Sequence, residues 1–296
     1  MSFSRIKSYA KLNLALNIVG KNKFLHKIES IIAFINLYDT ILIKKSKFKK
    51  HKISFTGKFS KNIDKKNTIS KLLQILEERK LIKNQNFHIK INKKIPSKAG
   101  LGGGSMNAAS ILKYFIKKKI IKINKKETSE VAKLIGSDVI LGLNTNYSIL
   151  TAKNKIKHFT KIKKIYVLIV KPNFGCSTKD IYSKVRNFDK PKFNKPSKKM
   201  FNYNNLINMK NSLEPIVFNK YPKLKRVKLD LEKSSNPIFV RMTGSGSAIA
   251  AYFQSKERCE HAKKSVIKKY RNYWCIASKT ISVSYTHLRA HETHRY

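Results

Sequence analysis

Glycine fills four of the five positions from 100 to 104, within Pro96-Ser97-Lys98-Ala99-Gly100-Leu101-Gly102-Gly103-Gly104-Ser105-Met106. Residues without a Cβ let successive backbone N–H groups converge on one anion and permit φ > 0. Ala108, Ile111, Leu112, Phe115 and Ile116 then recur three or four apart, so the loop opens into a helix. The unpaired N–H groups and positive dipole end of that helix suit a phosphate. This is not a Walker A loop, because Ser105 rather than Lys follows Gly104, and no acidic ribose partner stands about 20 residues on, as a dinucleotide fingerprint requires. A tight turn without a ligand is the alternative. Gly244-Ser245-Gly246-Ser247 is a second, weaker loop of the same kind.

Other chemistry is thinner. Cys176, Cys259 and Cys275 form no C-x-x-C pair, which argues against a disulfide framework or a cysteine-built zinc site. His287, His291 and His294 crowd the end of the chain, but the helical H-E-x-x-H pattern would need histidine at Arg295. No set of metal ligands emerges. Asp138, just after Gly136, is either a chemical group or the cap of the next turn.

The elements that must hold these residues are legible in outline. From Tyr9 to Val19, Ala10, Leu12, Leu14, Leu16 and Ile18 alternate with polar residues, a period of two that puts Lys11 and Asn13 together on the opposite strand face. Ser30 to Asn36 and Thr40 to Lys44 read as two strands broken near Tyr38-Asp39. Asn67 caps a helix striped by Ile69, Leu72, Leu73 and Leu76. Phe87, Ile89 and Ile91 form the strand before the glycine loop, and Glu127 to Ile135 a helix stopped by Gly136. Downstream come strands at Ile165 to Val170, Phe239 to Thr243 and Ala248 to Phe253, a helix from Lys256 to Tyr270, and a last strand at Trp274 to Ser278. The Lys-, Phe- and Asn-rich stretch from Arg186 to Met200 reads as a surface connection.

Composition bounds the function. Lys+Arg 65 against Asp+Glu 16 leaves a net charge of +49, which raises nucleic-acid binding as a possibility. The excess is almost all lysine and is scattered from Lys7 to Lys279 rather than gathered on one element, the mark of codon bias on solvated faces. Only weak, salt-sensitive adhesion is expected, with no specific nucleic-acid partner. No apolar run spans a membrane, and a soluble cytoplasmic protein is expected. Residues 280 to 296 contain no lysine, so 285–296 reads as a segment foreign to the fold.

Taken in order, Ala10-Lys11-Leu12-Asn13, the glycine loop, Gly136-Ser137-Asp138-Val139 and Thr243-Gly244-Ser245-Gly246 resemble the motifs of the GHMP kinases, over about residues 5 to 280. The start Ala10-Lys11-Leu12-Asn13 with His26 beyond it is most similar to the branch that phosphorylates a cytidine-diphosphate-linked methylerythritol, rather than the homoserine or mevalonate branches. The resemblance implies an α/β (α+β) fold: an N-terminal domain, 1–160, of left-handed βαβ type and a ferredoxin-like C-terminal domain, 161–284. It implies Asp138 as general base and Lys11 as the cation beside it, with Pro96 to Met106 around the phosphates of ATP. Asn13, His26 and Thr178 are similar to substrate-contacting positions, Tyr182 to a ring stacked on cytosine, and Gly244, Ser245 and Gly246 to a loop near the substrate. Magnesium is expected with ATP on charge grounds, its ligands unassigned. The chain departs from the family at Ala99 and Met106, and at Leu25, which stands where an aromatic commonly precedes His26.

Overall fold

The computed structural model describes residues 2–22, 25–233 and 235–282. The expected foreign tail, 285–296, lies outside the described residues. By packing, the chain forms two compact units: residues up to 12 with 35–144, and 13–34 with the chain from 145 onward. These units interleave along the chain and do not follow a single cut at residue 160. The reason lies in the first two strands, β1 (Ser4–Lys21) and β2 (His26–Ser46). At about 3.3 Å per residue each is roughly 60–70 Å long, several times what one small core covers.

In the first unit, β3 (Lys52–Thr56) and β4 (Asn86–Asn92) run parallel, joined through helix α1 (Thr68–Glu78), so this is a βαβ unit. β4 pairs antiparallel with β2, placing Ile41 opposite Ile91 and Ile43 opposite Ile89. Helices α2 (Gly103–Lys117) and α3 (Lys125–Ile135) join α1 over these isoleucines, and Leu72, Leu76, Leu112, Phe115 and Val131 complete the core. Asn67 caps α1 as its position predicts: its carboxamide oxygen accepts from Ile69 and Ser70 N–H, and Ser70 Oγ accepts from its own N–H. α3 starts two residues earlier than its apolar pattern suggests, because Asn124 is the cap and Glu127 closes the capping box from the third position.

The second unit carries β5 (Tyr147–Leu150) and β6 (Ile156–Phe159) beside residues 30–32 of β2. Then follow β7 (Tyr166–Lys171), helices α4 (Thr178–Ser183), α5 (Tyr203–Ile207), α6 (Glu214–Lys220) and α7 (Pro222–Lys233), strands β8 (Phe239–Met242) and β9 (Ile249–Phe253), helix α8 (Lys256–Lys269) and β10 (Trp274–Ile281). The four strands β7 to β10 lie antiparallel in the order β10-β7-β9-β8. That βαββαβ arrangement is ferredoxin-like, as expected. Its core joins Leu168, Val170, Met242, Ile249 and Ala251 to Leu224, Val227 and Leu231 of α7 and Ala262 and Val266 of α8.

Two expectations need correcting. β2 is one continuous strand rather than two, because Asp39 is buried and fully hydrogen-bonded instead of breaking the ladder. The stretch from Arg186 to Met200 is not merely a surface connection: Phe193 is buried, and the N–H groups of Lys192 and Phe193 donate to the buried Glu29 at 2.7 and 2.9 Å. No helix among the described residues is long and apolar enough to cross a membrane.

Candidate active site

Residues 10 to 18 of β1 are buried without alternation. Both faces of the strand are covered, and so its polar residues must find partners. Lys11 does: its side chain is 5% exposed, and Nζ lies 3.3 Å from Asp138 Oδ2, whose side chain is 34% exposed. Asp138 therefore has one foot in the protein and one in solvent. It is not a helix cap; the short 3-10 turn Ile140–Leu143 that follows has no side-chain cap.

The glycine loop is fastened to the same strand. Lys11 N–H donates to Leu101 O at 3.1 Å, and Gly102, at φ +70°, brings its α-carbon against the Lys11 side chain. A Cβ at Gly102 would sit 2.9 Å from Lys11 Cγ. Gly102→Ala is therefore expected to shift Lys11 off Asp138 and lower kcat about 10- to 100-fold, since small misplacements at a reacting centre carry costs of that size. Steady-state kinetics on the folded variant check this; kcat within twofold of the parent would refute it.

Behind Gly102, α2 begins, and the N–H groups of Gly103, Gly104 and Ser105 are the orphan donors of its first turn. Met106 N–H already donates to Gly102 O, and the side chains of Ala99, Leu101 and Met106 are buried. Ser97 and Lys98 are exposed beside the loop, so backbone N–H groups and these two side chains are the donors it could offer an anion. The departures at Ala99 and Met106 fill core rather than removing donors. Thr68 Oγ1 donates to Gly104 O at 2.8 Å and ties the loop to α1.

Sequence reasoning missed what closes this loop. Asp39, fully buried, accepts from the N–H groups of Lys94 and Ile95 at 2.7 and 2.9 Å, from Asn107 Nδ2 at 3.1 Å and from Lys93 Nζ. One carboxylate thereby joins the entry of the loop to the helix at its exit. An acidic residue inside an otherwise apolar strand was the available signal, since a buried charge requires partners.

In the second unit, Asn13 N–H donates to Thr243 Oγ1 at 3.1 Å, and its side chain donates to Ser30 Oγ at 2.8 Å. Thr178 Oγ1 lies 2.8 Å from Ser245 Oγ, while the cap of α4 is its neighbour Ser177. Asn211 was not foreseen; its Nδ2 donates to Met242 O and Gly244 O, both at 2.8 Å, and so sets the second glycine loop. Lys171, also unforeseen, donates from Nζ to Pro172 O and Phe174 O at 2.9 Å and shapes the turn leading to Thr178. His26 packs on Tyr182 with ring centroids 5.2 Å apart. Burial, helped by the charge of Lys21, lowers the His26 pKa, leaving a neutral ring with one donor and one acceptor. Its Nε2 is buried with no hydrogen-bond partner among the described residues.

Burial pushes the thiols up, to about 11 for Cys176 and about 12 for Cys259 and Cys275, which disarms all three as nucleophiles at neutral pH. Among the described residues no group of three His, Cys, Asp or Glu could hold a metal ion. A cavity of about 590 Å³ in the second unit is lined by Asn211 and by Arg186 and Phe188 of the stretch after α4, but by none of Asn13, His26, Thr178, Tyr182 or Gly244 to Gly246.

Comparison with known proteins bears on family and fold. Residues 67–148 match the GHMP kinases N terminal domain. A 4-diphosphocytidyl-2-C-methyl-D-erythritol kinase from Pelagibacter ubique is 55% identical over 95% of this chain and 100% of its own length. One of the same name from Clostridium tetani is 32% identical over 94% of this chain and 100% of its own. Among solved structures, a 4-(cytidine 5'-diphospho)-2C-methyl-D-erythritol kinase superposes with a TM-score of 0.76 at 20% identity, covering 94% of this chain and 100% of the other. Homoserine kinase from Cytophaga hutchinsonii gives 0.71 at 16%, covering 95% of each. At such identities the superpositions speak for the fold alone.

Proposed function

The chain belongs to the 4-diphosphocytidyl-2-C-methyl-D-erythritol kinase family of GHMP kinases, and we propose from that premise how its residues work. It is an ATP-dependent small-molecule kinase that phosphorylates the 2-hydroxyl of 4-diphosphocytidyl-2-C-methyl-D-erythritol, a step of the non-mevalonate route to isoprenoid precursors. The observation that carries the residue roles is the buried Lys11 held 3.3 Å from a half-exposed Asp138, against a glycine loop that opens a helix.

An aliphatic alcohol is a poor nucleophile at neutral pH, and phosphoryl transfer is catalysed mainly by positioning and electrostatics. Asp138 takes the hydroxyl proton as the substrate oxygen bonds to the γ-phosphorus and the bond to the ADP oxygen breaks. Lys11 orients Asp138 and offsets the negative charge that spreads over the transferring group. Backbone N–H groups of Gly103, Gly104 and Ser105 receive the phosphates. Thr178, Ser245, Asn13, His26 and Tyr182 serve the cytidine-linked substrate, with Tyr182 stacking on the base and the buried His26 Nε2 meeting its polar edge. A magnesium ion would come with the phosphates of ATP and offset their charge, since such ions keep most of their ligands as water and phosphate.

ADP release tests the reading, with ATP and magnesium present and the cytidine-diphosphate-linked methylerythritol, homoserine, mevalonate or no acceptor supplied. Release only with the first is expected. Release with homoserine or mevalonate instead would move the protein to another branch of the superfamily. The nucleic-acid reading raised by the +49 charge is not favoured by kinase relatives that match along their whole length.

A further inference from the structure

We propose that Phe188 forms an aromatic wall of the nucleobase site, in place of the ring that position 25 lacks; the proposal rests on the cytidine-linked substrate assigned above. Among the described residues His26 has two ring neighbours: Tyr182, with centroids 5.2 Å apart and planes 49° apart, and Phe188, at 6.4 Å and 50°. The buried Nε2 of His26 has no hydrogen-bond partner among the described residues. Leu25, by contrast, is 61% exposed, its own N–H donates to Asn22 Oδ1 at 2.7 Å, and it offers no π-face.

Phe188 is itself 49% exposed, in a stretch without helix or strand. A single exposed phenylalanine is ordinary. What sets this one apart is that its backbone is pinned on the following side by two carboxylates. Asp189 N–H donates to Ile18 O at 2.7 Å, while the Asp189 carboxylate accepts from Ser212 Oγ and pairs with Lys210 Nζ at 2.5 Å. Three residues on, Glu29 takes the N–H groups of Lys192 and Phe193, and the Phe193 ring is buried. Irregular chain fixed this firmly presents the Phe188 ring at a set place beside His26, with about half of it open.

Base stacking is insensitive to which residue supplies the ring but requires an aromatic one. Phe188 also borders the cavity of about 590 Å³, with Val185, Ile216, Phe218 and Leu229. A role confined to that cavity would need apolar bulk and no aromatic face, and this difference sets the test.

Steady-state kinetics with ATP, magnesium and the cytidine-diphosphate-linked methylerythritol would compare Phe188→Leu, Phe188→Tyr and Tyr182→Leu, with CDP as a competing probe and thermal melting as the check on folding. Phe188→Leu is expected to raise KM for the cytidine substrate and Ki for CDP about tenfold, leaving KM for ATP unchanged. Phe188→Tyr should return both to within about twofold of the parent. Adding Leu25→Tyr to Phe188→Leu should recover part of the loss, a result that a packing role would not produce. Unchanged KM and Ki in Phe188→Leu, while Tyr182→Leu raises both, would overturn the assignment of Phe188 alone. If neither substitution matters and CDP does not compete, the nucleobase reading itself falls. Should Phe188→Leu melt early, failure of Phe188→Tyr to bind CDP like the parent overturns the proposal.

Discussion

Asp138→Asn is expected to lower kcat about 10²- to 10⁴-fold while leaving KM for ATP nearly unchanged. The amide keeps the size of the side chain and can still face Lys11 Nζ, now 3.3 Å from the carboxylate, but it cannot take the proton of the attacking hydroxyl. Because the glycine loop is fastened through Leu101 to the Lys11 backbone and not through Asp138, nucleotide contacts should persist. Single-turnover and steady-state rates at saturating substrate check this. Turnover within a few-fold of the parent would remove Asp138 from the chemistry and leave positioning by Lys11 and the loop as the whole of catalysis.

Asp39→Ala should be the most damaging substitution for the fold of the first unit. It strands Lys93 Nζ as a buried cation and frees the N–H groups of Lys94 and Ile95 and the side chain of Asn107 at once. Breaking one partner of a buried ion pair typically costs about 3–5 kcal/mol. A fall in Tm of several degrees is expected, together with a rise in KM for ATP as both ends of the loop loosen. Asp39→Asn preserves acceptors for the two backbone N–H groups and should lose less on both measures. A Tm for Asp39→Ala within 2 °C or so of the parent would show that the network does not hold the loop.

How far the sequence reaches is clearest where the signal is local. The cap at Asn67, the alternation of Phe87, Ile89 and Ile91, the helix after Gly102 and the turn at Gly244 to Ser247 each follow from interactions spanning a few residues, and each appears where its pattern puts it. Four ordered motifs were enough to point to a family, because residue types at a glycine-rich loop opening a helix are constrained by backbone access and not by distant packing. The site was harder to see. Lys11 and Asp138 are far apart in the chain, and nothing in either segment encodes their meeting; only the resemblance joined them.

Asp39 marks the limit most sharply. Its type argued for a break between two strands, whereas Lys93, Lys94, Ile95 and Asn107 arrive from elsewhere in the chain to satisfy it, and so the strand runs on from His26 to Ser46. The stretch after Arg186 is a second case, with few apolar residues and two prolines but fixed by Glu29 and by a buried Phe193. Period, capping and turn chemistry are set by neighbours in sequence, so they are determined before folding. Whether a charged or polar group ends an element or sits at its centre depends on partners that only tertiary packing supplies, because the cost of burying it vanishes only when those partners converge.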